Sequence, residues 1–261
     1  MCRLLGFVAD RPVSAREVLG QPDFDRFTSL ACVHGDGWGT AGLNGVGLMV
    51  HSSPISAATD PQYAVATSQS PTAAGLVHLR WATDGLPVAP ENSHPFSDGA
   101  IALAHNGCIA PIGRLESMLS RRGRTALRGD TDSERYFQFV RDRIELAGGD
   151  QDAGLVAAVG MLSAEFPLAS LNAMVLSESA LYIVHVNSAA EAPLADLYTL
   201  FPDESAIPEG HLTNYFRMSI RRSSDVVVVV SSGLSGHGWE PVADNSVLRI
   251  DRADRTVELL Q

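Results

Sequence analysis

The chain begins MCRLLGF, and cysteine is sparse: Cys2, Cys32 and Cys108 are the only three in 261 residues. A free cysteine often serves as a small buried hydrophobe. One placed directly behind Met1 has a second, chemical reading. Removal of Met1, which the small side chain of Cys2 permits, would leave a thiol and a free α-amine on one residue. Such an amine titrates at about 7.7–8.0, so a useful fraction is an unprotonated base at neutral pH. An N-terminal amine can activate its own residue's nucleophile without a separate histidine. If that nucleophile attacks an amide, the chemistry needs three more parts. They are donors for the tetrahedral oxyanion, a fork-shaped cation for a substrate carboxylate, and an acceptor for a substrate ammonium.

Three short stretches offer these parts. HNG (105–107) supplies an Asn side-chain donor and a Gly amide at the end of a strand pattern. RWAT (80–83) places Arg80 at the end of another, among apolar neighbours. GDTDSE (129–134) puts acids at a helix start, where backbone amides hold a carboxylate ionised. A substrate with both a carboxylate and an ammonium could be gripped by Arg80 and Asp132. Taken singly, each stretch also has an ordinary reading: a turn, a surface charge and a helix cap. Their occurrence together, in this order, favours the chemical one.

The elements that must position these residues follow from periodicity. Leu4, Leu5, Phe7 and Val8 predict a short buried strand, and a free N-terminus could sit at its edge. Residues 13–30 read as helix and loop. The four glycines of HGDGWGTAGL imply backbone packed closely against something. Asn44-Gly45 between apolar runs signals a hairpin. A short helix is expected over 60–70, and strands over 75–83 and 99–107. A helix over 112–123 would close at Gly123. A second, over 131–147, opens with Thr131 and Glu134 in a capping-box pattern and carries Tyr136, Phe137, Val140 and Ile144 at helical spacing. A third spans 154–166. The remainder turns to β: a hairpin over 171–186, a strand over 225–232 and a closing hairpin over 246–260 turned at Arg252–Asp254. The apolar run DVVVVVSS marks a strand covered on both faces. Strands and helices come in blocks rather than in strict alternation, which predicts an α+β fold. One domain is the simplest organisation.

Composition bounds the function. The chain is 45% hydrophobic and 19% charged, as in ordinary globular proteins. A formal charge of −11 argues against a nucleic-acid surface. The short basic clusters Arg121, Arg122, Arg124 and Arg217, Arg221, Arg222 do not offset it. An odd cysteine count argues against a disulfide framework. No signal-peptide pattern opens the chain, and no stretch approaches the roughly 20 apolar residues of a membrane span. A cytoplasmic protein without nucleic-acid or membrane partners is expected. Neither Cys32 with His34 nor His105 with Cys108 matches a zinc pattern, so no metal site is expected. His94 in NSHPF and His237 in SGHGW read as structural or loop residues.

MCRLLGF, HGDGWG, HLRWATDG, NSHPF, HNG and GDTDSE together resemble the motif series of the class II glutamine amidotransferases, which are N-terminal nucleophile hydrolases. These motifs span residues 2–134, about half the chain. Without a long extra domain, the chain resembles the stand-alone members. It is also similar to the γ-glutamyl hydrolase of ergothioneine biosynthesis, which shares the MCR-L-G opening and the HNG. The resemblance implies a four-layer αββα sandwich of two antiparallel sheets, forming a single amidotransferase domain over 2–261. It implies Cys2 as nucleophile and, through its amine, base. Asn106 and the Gly107 amide would form the oxyanion hole. Arg80 would bind the glutamine α-carboxylate, Trp81 and Thr83 would line the pocket, and Asp132 would take the α-amine. The implied reaction passes through a γ-glutamyl thioester and releases glutamate with ammonia or an amine. It needs no metal or organic cofactor.

Two departures bear on this. Synthetase members usually carry His after RWAT, where this chain has Asp84. The ergothioneine-type hydrolases lack a full RWAT and the TDSE form, and this chain has both. The chain is thus nearer the stand-alone amidotransferases, and because Arg80 and Asp132 would recognise only the glutamyl half, the expected substrate is glutamine or a larger γ-glutamyl amide. A separate synthetase subunit could accept ammonia, and the other reading is a catalytically silent or partner-dependent subunit. The leaving-group side would be built by the loops 20–30, 84–93 and 205–222.

Overall fold

The computed structural model describes residues 2–82, 85–186, 190–208, 210–234 and 236–261. Two antiparallel sheets stack face to face. One runs in the order β11 (Glu240–Pro241), β9 (Met218–Arg222), β10 (Val226–Ser231), β1 (Arg3–Val13), β4 (Thr72–Leu79), β2 (Trp38–Asn44), β3 (Gly47–Ser53). The other runs β13 (Val257–Leu259), β12 (Ser246–Asp251), β8 (Ala180–His185), β7 (Ala173–Ser177), β6 (Ile101–His105), β5 (Phe96–Ser97). The α+β class and the layered sandwich are as expected. The first strand is an interior one, between β10 and β4, rather than a sheet edge.

Side-chain alternation builds three apolar layers. Leu4, Val8, Ala74, Leu76, Val227 and Val229 meet Ala102, Ala104, Met174, Leu176, Leu181 and Ile183 between the sheets. The opposite face of the first sheet (Leu5, Phe7, Val77, Leu79, Val228, Val230) packs under helices α1 (Ala15–Leu19), α2 (Gln21–Ser29) and α3 (Pro61–Ser68). The outer face of the second sheet (Ile101, Leu103, Val175, Tyr182, Val184) packs under α4 (Ile112–Ser117), α6 (Asp132–Leu146) and α7 (Gln151–Glu165). The valine run is thus covered on both faces, as its composition implied. A smaller apolar cluster holds Val33, Leu197, Ile207, Tyr215 and Phe216, with Leu197 on α8 (Leu194–Leu200).

Local departures have local causes. The single helix expected over 112–123 is two, α4 and α5 (Arg121–Ala126). The Ser120 hydroxyl accepts the Gly123 N–H and restarts the helix, while Asp142 accepts both the amide and the hydroxyl of Ser120, each at 2.7 Å. Gly123 therefore lies inside α5 and does not close a helix. Only half of the capping box at 131–134 forms. Thr131 Oγ1 accepts the Glu134 amide at 3.1 Å, but the Glu134 carboxylate takes the amides of Arg128 and Gly129 at 2.9 and 2.8 Å. Helix α7 starts at Gln151, before the expected 154, because the Asp150 side chain accepts the Ala153 N–H at 3.0 Å. Segment 20–30 is mostly the helix α2 rather than a loop. Among the described residues, no helix is long and apolar enough to cross a membrane.

Candidate active site

Cys2 stands at the head of β1, and the alternation that turns Leu4 and Val8 between the sheets turns Cys2 the same way. Asn106 stands just past β6, in phase with Ala102 and Ala104, and looks back from the opposite sheet. The Cys2 N–H donates to Asn106 Oδ1 at 2.9 Å. That leaves Asn106 Nδ2 buried with no hydrogen-bond partner. Two bonds fix the Asn106 backbone: its amide donates to the Asn172 carbonyl at 2.7 Å, and its carbonyl accepts the Ser170 hydroxyl at 3.0 Å. A buried amide donor in a fixed place, unspent within the chain, is the hardware that developing negative charge requires. Gly107 follows immediately, and a Cβ there would stand 2.0 Å from the Ser170 carbonyl oxygen, so only glycine fits.

The Cys2 Sγ lies 3.9 Å from the Trp81 carbonyl oxygen. Arg80 follows β4 and is 3% exposed. Its guanidinium donates to the carbonyls of Asp36 and Pro87 at 3.4 and 3.2 Å. These contacts are long, and neither partner is an anion. Burial draws the Arg80 pKa below the usual value, while Cys2 and Asp36 act to raise it. Asp36 also accepts the Ala82 N–H at 2.8 Å and so shapes the turn after Arg80. Residues 87–92 are tied to the site from the other side. Pro87 O accepts Asn92 Nδ2 at 3.2 Å, and Asn92 Oδ1 accepts the Asp130 amide at 2.9 Å.

Asp132 is the first residue of α6 and 8% exposed. One carboxylate oxygen accepts the Ile109 amide at 2.7 Å and the other the Ser133 amide at 2.9 Å. The Ile109 bond ties the helix start to the loop that carries Asn106 and Gly107. A carboxylate offers about four acceptor positions, so room remains for an ammonium. Trp81 is half-buried, its ring edge-on to His34 at 5.8 Å. Cys2, Arg80, Trp81, Asn106, Gly107 and Asp132 thus fall into one linked neighbourhood. Thr83 and Asp84 lie outside the described residues.

Sequence reasoning passed over three features of this neighbourhood. The first is a buried pair of histidines: His78 Nε2 and His94 Nδ1 lie 2.7 Å apart, and burial holds both rings well below the usual imidazole pKa. His94, read from sequence as structural, offers a ring nitrogen within 4.8 Å of the Cys2 sulfur. The glycine-rich stretch supplies its space, since a Cβ on Gly39 would stand 2.0 Å from the His94 carbonyl oxygen. The second is Arg3, fully buried, donating from Nη1 to the Cys2 carbonyl at 2.8 Å with its Cζ 4.2 Å from the centre of the Tyr215 ring. The third is Asp36. The signals were present as residue types, but their partners lie far away in sequence. Cys32 and Cys108 are exposed residues, and partial desolvation pushes each thiol pKa up. His105 spends its nitrogens on the Ser133 hydroxyl and the Ser170 carbonyl, at 2.9 and 2.8 Å.

Two antiparallel sheets between helical layers, with a cysteine heading a central strand at their seam, define the N-terminal nucleophile type of amidotransferase fold. The chain belongs to the class II glutamine amidotransferases: the model of that family matches residues 1–257. It is similar to a glutamine–fructose-6-phosphate aminotransferase of Caulobacter vibrioides, 33% identical over 142 residues, covering 54% of this chain and 22% of that protein. A second such aminotransferase, from Gluconobacter oxydans, is 28% identical over 173 residues, covering 66% of this chain and 27% of its own length. The chain thus spans about a quarter of the length of these curated relatives. Among solved structures, a glutamine aminotransferase class-II domain protein from Silicibacter pomeroyi aligns over 100% of both chains, with a TM-score of 0.65 at 17% identity. The glutamine phosphoribosylpyrophosphate amidotransferase from B. subtilis aligns over 100% of this chain and 49% of its own, with a TM-score of 0.65 at 16% identity.

Proposed function

We propose that residues 2–261 form one amidotransferase domain that hydrolyses the γ-amide of glutamine, or of a γ-glutamyl amide, through Cys2. Removal of Met1 frees the Cys2 amine, which takes the thiol proton. The thiolate attacks the amide carbon, and the oxyanion is met by Asn106 Nδ2 and the Gly107 N–H. The tetrahedral intermediate collapses to a thioester as the C–N bond breaks, and the amine's proton goes to the leaving ammonia or amine. Water, deprotonated by the same amine, then attacks the thioester and releases glutamate. Arg80 takes the α-carboxylate and Asp132 the α-ammonium, with Trp81 and Thr83 lining the pocket. No step requires a metal or organic cofactor.

The observation that carries this reading is the division of labour on Asn106: Oδ1 is spent on the Cys2 nitrogen, and Nδ2 is buried and unspent. The test is glutamate release from L-glutamine by protein shown by intact mass to lack Met1, with Cys2→Ala as control. Release that vanishes in the variant is expected. No release from correctly processed protein would remove the glutaminase reading and leave a larger γ-glutamyl amide, a partner-dependent subunit or a silent one. The second reading is a subunit that hands ammonia to a separate acceptor protein. Activity that rises when such a partner is added would support it.

A further inference from the structure

One ligand atom each from Cys2, His78 and His94 lie within 4.8 Å of one another, and all three residues are buried. This is the one such group of three or more ligand-type side chains among the described residues. Its members come from the head of β1, from β4 and from the segment before β5, so no sequence spacing announces it. His78 Nδ1 and His94 Nε2 are buried without a hydrogen-bond partner. Orphaned buried polar atoms are rare and call for an occupant.

We propose that this cluster is an inhibitory site for a borderline-soft divalent cation of the Zn2+ type, with the Cys2 α-amine as fourth donor. The amine is the part that rests on the hydrolase reading, since it requires the same loss of Met1. Amine and thiolate on one residue close a five-membered chelate ring. Two imidazoles then complete the nitrogen-and-sulfur tetrahedron that zinc favours. In such a site, with metal–sulfur bonds of about 2.3 Å and metal–nitrogen bonds of about 2.0–2.1 Å, donor atoms stand roughly 3.3–3.6 Å apart. The three side-chain donors already lie within 4.8 Å of one another, and binding would bring them to that spacing while the 2.7 Å contact between His78 Nε2 and His94 Nδ1 opens. An amine bound to metal still carries hydrogens for Asn106 Oδ1, so that contact survives. On binding, the thiol proton leaves to solvent and a sulfur–metal bond forms; nothing is oxidised or reduced. A coordinated thiolate no longer attacks an amide. The metal-free chain is the active one, and free metal holds it silent.

The test uses the full chain with Met1 removed, titrated with Co2+ in the absence of glutamine. Tetrahedral thiolate coordination shows as charge-transfer absorption in the near ultraviolet and intense visible bands. One equivalent of each is expected, lost in Cys2→Ser. In His94→Gln, affinity should fall by at least the roughly 10–100-fold that loss of even an outer-shell partner costs. Unchanged affinity in a folded His94→Gln would mean that the aminothiol alone binds, and would overturn the site. So would the absence of thiolate bands from the parent protein. Should the histidine variant fail to fold, the parent protein decides alone. Zn2+ should protect Cys2 from alkylation by iodoacetamide, and equal rates with and without it would refute the proposal. The two readings fail separately. Cobalt binding without glutaminase activity in metal-free buffer removes only the hydrolase, while glutaminase activity indifferent to Zn2+ removes only the metal site.

Discussion

Replacing Asn106 by aspartate separates the two jobs of one side chain. Asn106→Asp keeps an oxygen where Oδ1 accepts the Cys2 N–H at 2.9 Å. It exchanges Nδ2, the buried donor without a protein partner, for a second oxygen. The size hardly changes, so packing at this fully buried position is preserved. What changes is that no fixed N–H faces the oxyanion, and a carboxylate, whose charge opposes the same oxyanion, stands in its place. Losing one such donor costs about 10²–10³ in kcat, or about 2.7–4 kcal/mol of transition-state stabilisation. In the proposed function the glutamyl half is gripped elsewhere, by Arg80 and Asp132, so KM should move by less than about threefold, the pattern of an interaction made only in the transition state. The assay is steady-state glutamate release across glutamine concentrations, with Cys2→Ala as the baseline and circular dichroism to confirm folding. Asn106→Ala, which also frees the Cys2 nitrogen, should fall at least as far. If folded Asn106→Asp keeps kcat within about tenfold of the parent, a change of only about 1.4 kcal/mol, Nδ2 is not the oxyanion donor and the reasoning fails.

The other predictions test separate links. Asp132→Asn should act mainly on KM. A lost charge-assisted hydrogen bond of about 1.5–3 kcal/mol corresponds to roughly 10–150-fold, and a fall confined to kcat would contradict the ammonium role. Gly107→Ala forces a methyl to within 2.0 Å of the Ser170 carbonyl; overpacking of this kind costs about 1–3 kcal/mol, and an unchanged urea midpoint would contradict the close approach. His78 and His94 have folded pKa values well below 6.5 because of burial. Below about pH 6.5 the unfolded chain takes up protons that the folded chain refuses, so stability is fully present above that pH and falls as pH drops, by up to about 1.4 kcal/mol per unit for each ring. A urea midpoint flat from about pH 7 to pH 5 would refute the neutral buried pair.

What the sequence made legible was whatever depends on near neighbours. Alternation along DVVVVVSS foretold a two-faced strand because each valine meets a layer regardless of which strands flank it. Asn44-Gly45 foretold the hairpin because turn chemistry is local; the register closes Asn44 against Gly47. The continuous helix over 112–123 failed for the converse reason: its break at Ser120 is made by Asp142, a side chain on another helix. The Glu134 carboxylate was misassigned for a similar reason, since the amides of Arg128 and Gly129 outcompete the expected Thr131 amide. At the site, Cys2, Arg80 and Asn106, which residue type singles out at strand ends, are brought together by the fold. The His78–His94 pair was not legible, because only the fold brings a strand residue against the segment leading into β5.

The position of Cys2 follows from register rather than from any feature of the cysteine itself. In β1, Leu4 and Val8 point between the sheets, while Leu5 and Phe7 point toward α1–α3. Side chains alternate with period two, so a slip of one residue would send Cys2 to the outer face and away from Asn106. The register is pinned on both sides, by Leu5 against Val77 and by Leu5 against Val230. At the strand's head, the Leu4 amide is held by Ser231 Oγ at 2.9 Å and the Cys2 carbonyl by Arg3 at 2.8 Å. Arg3 points the opposite way from Cys2, and burial draws its pKa down. Desolvating a guanidinium is costly; the Tyr215 ring, 4.2 Å from the Arg3 Cζ, offsets part of that cost, and the bond from Arg3 to the Cys2 carbonyl fixes the backbone of Cys2. Two interlocked sheets thus hold the cysteine from behind while its nitrogen reaches across the seam to Asn106. A chain with the same motifs but a different β1 register would carry the same residues and lack the site.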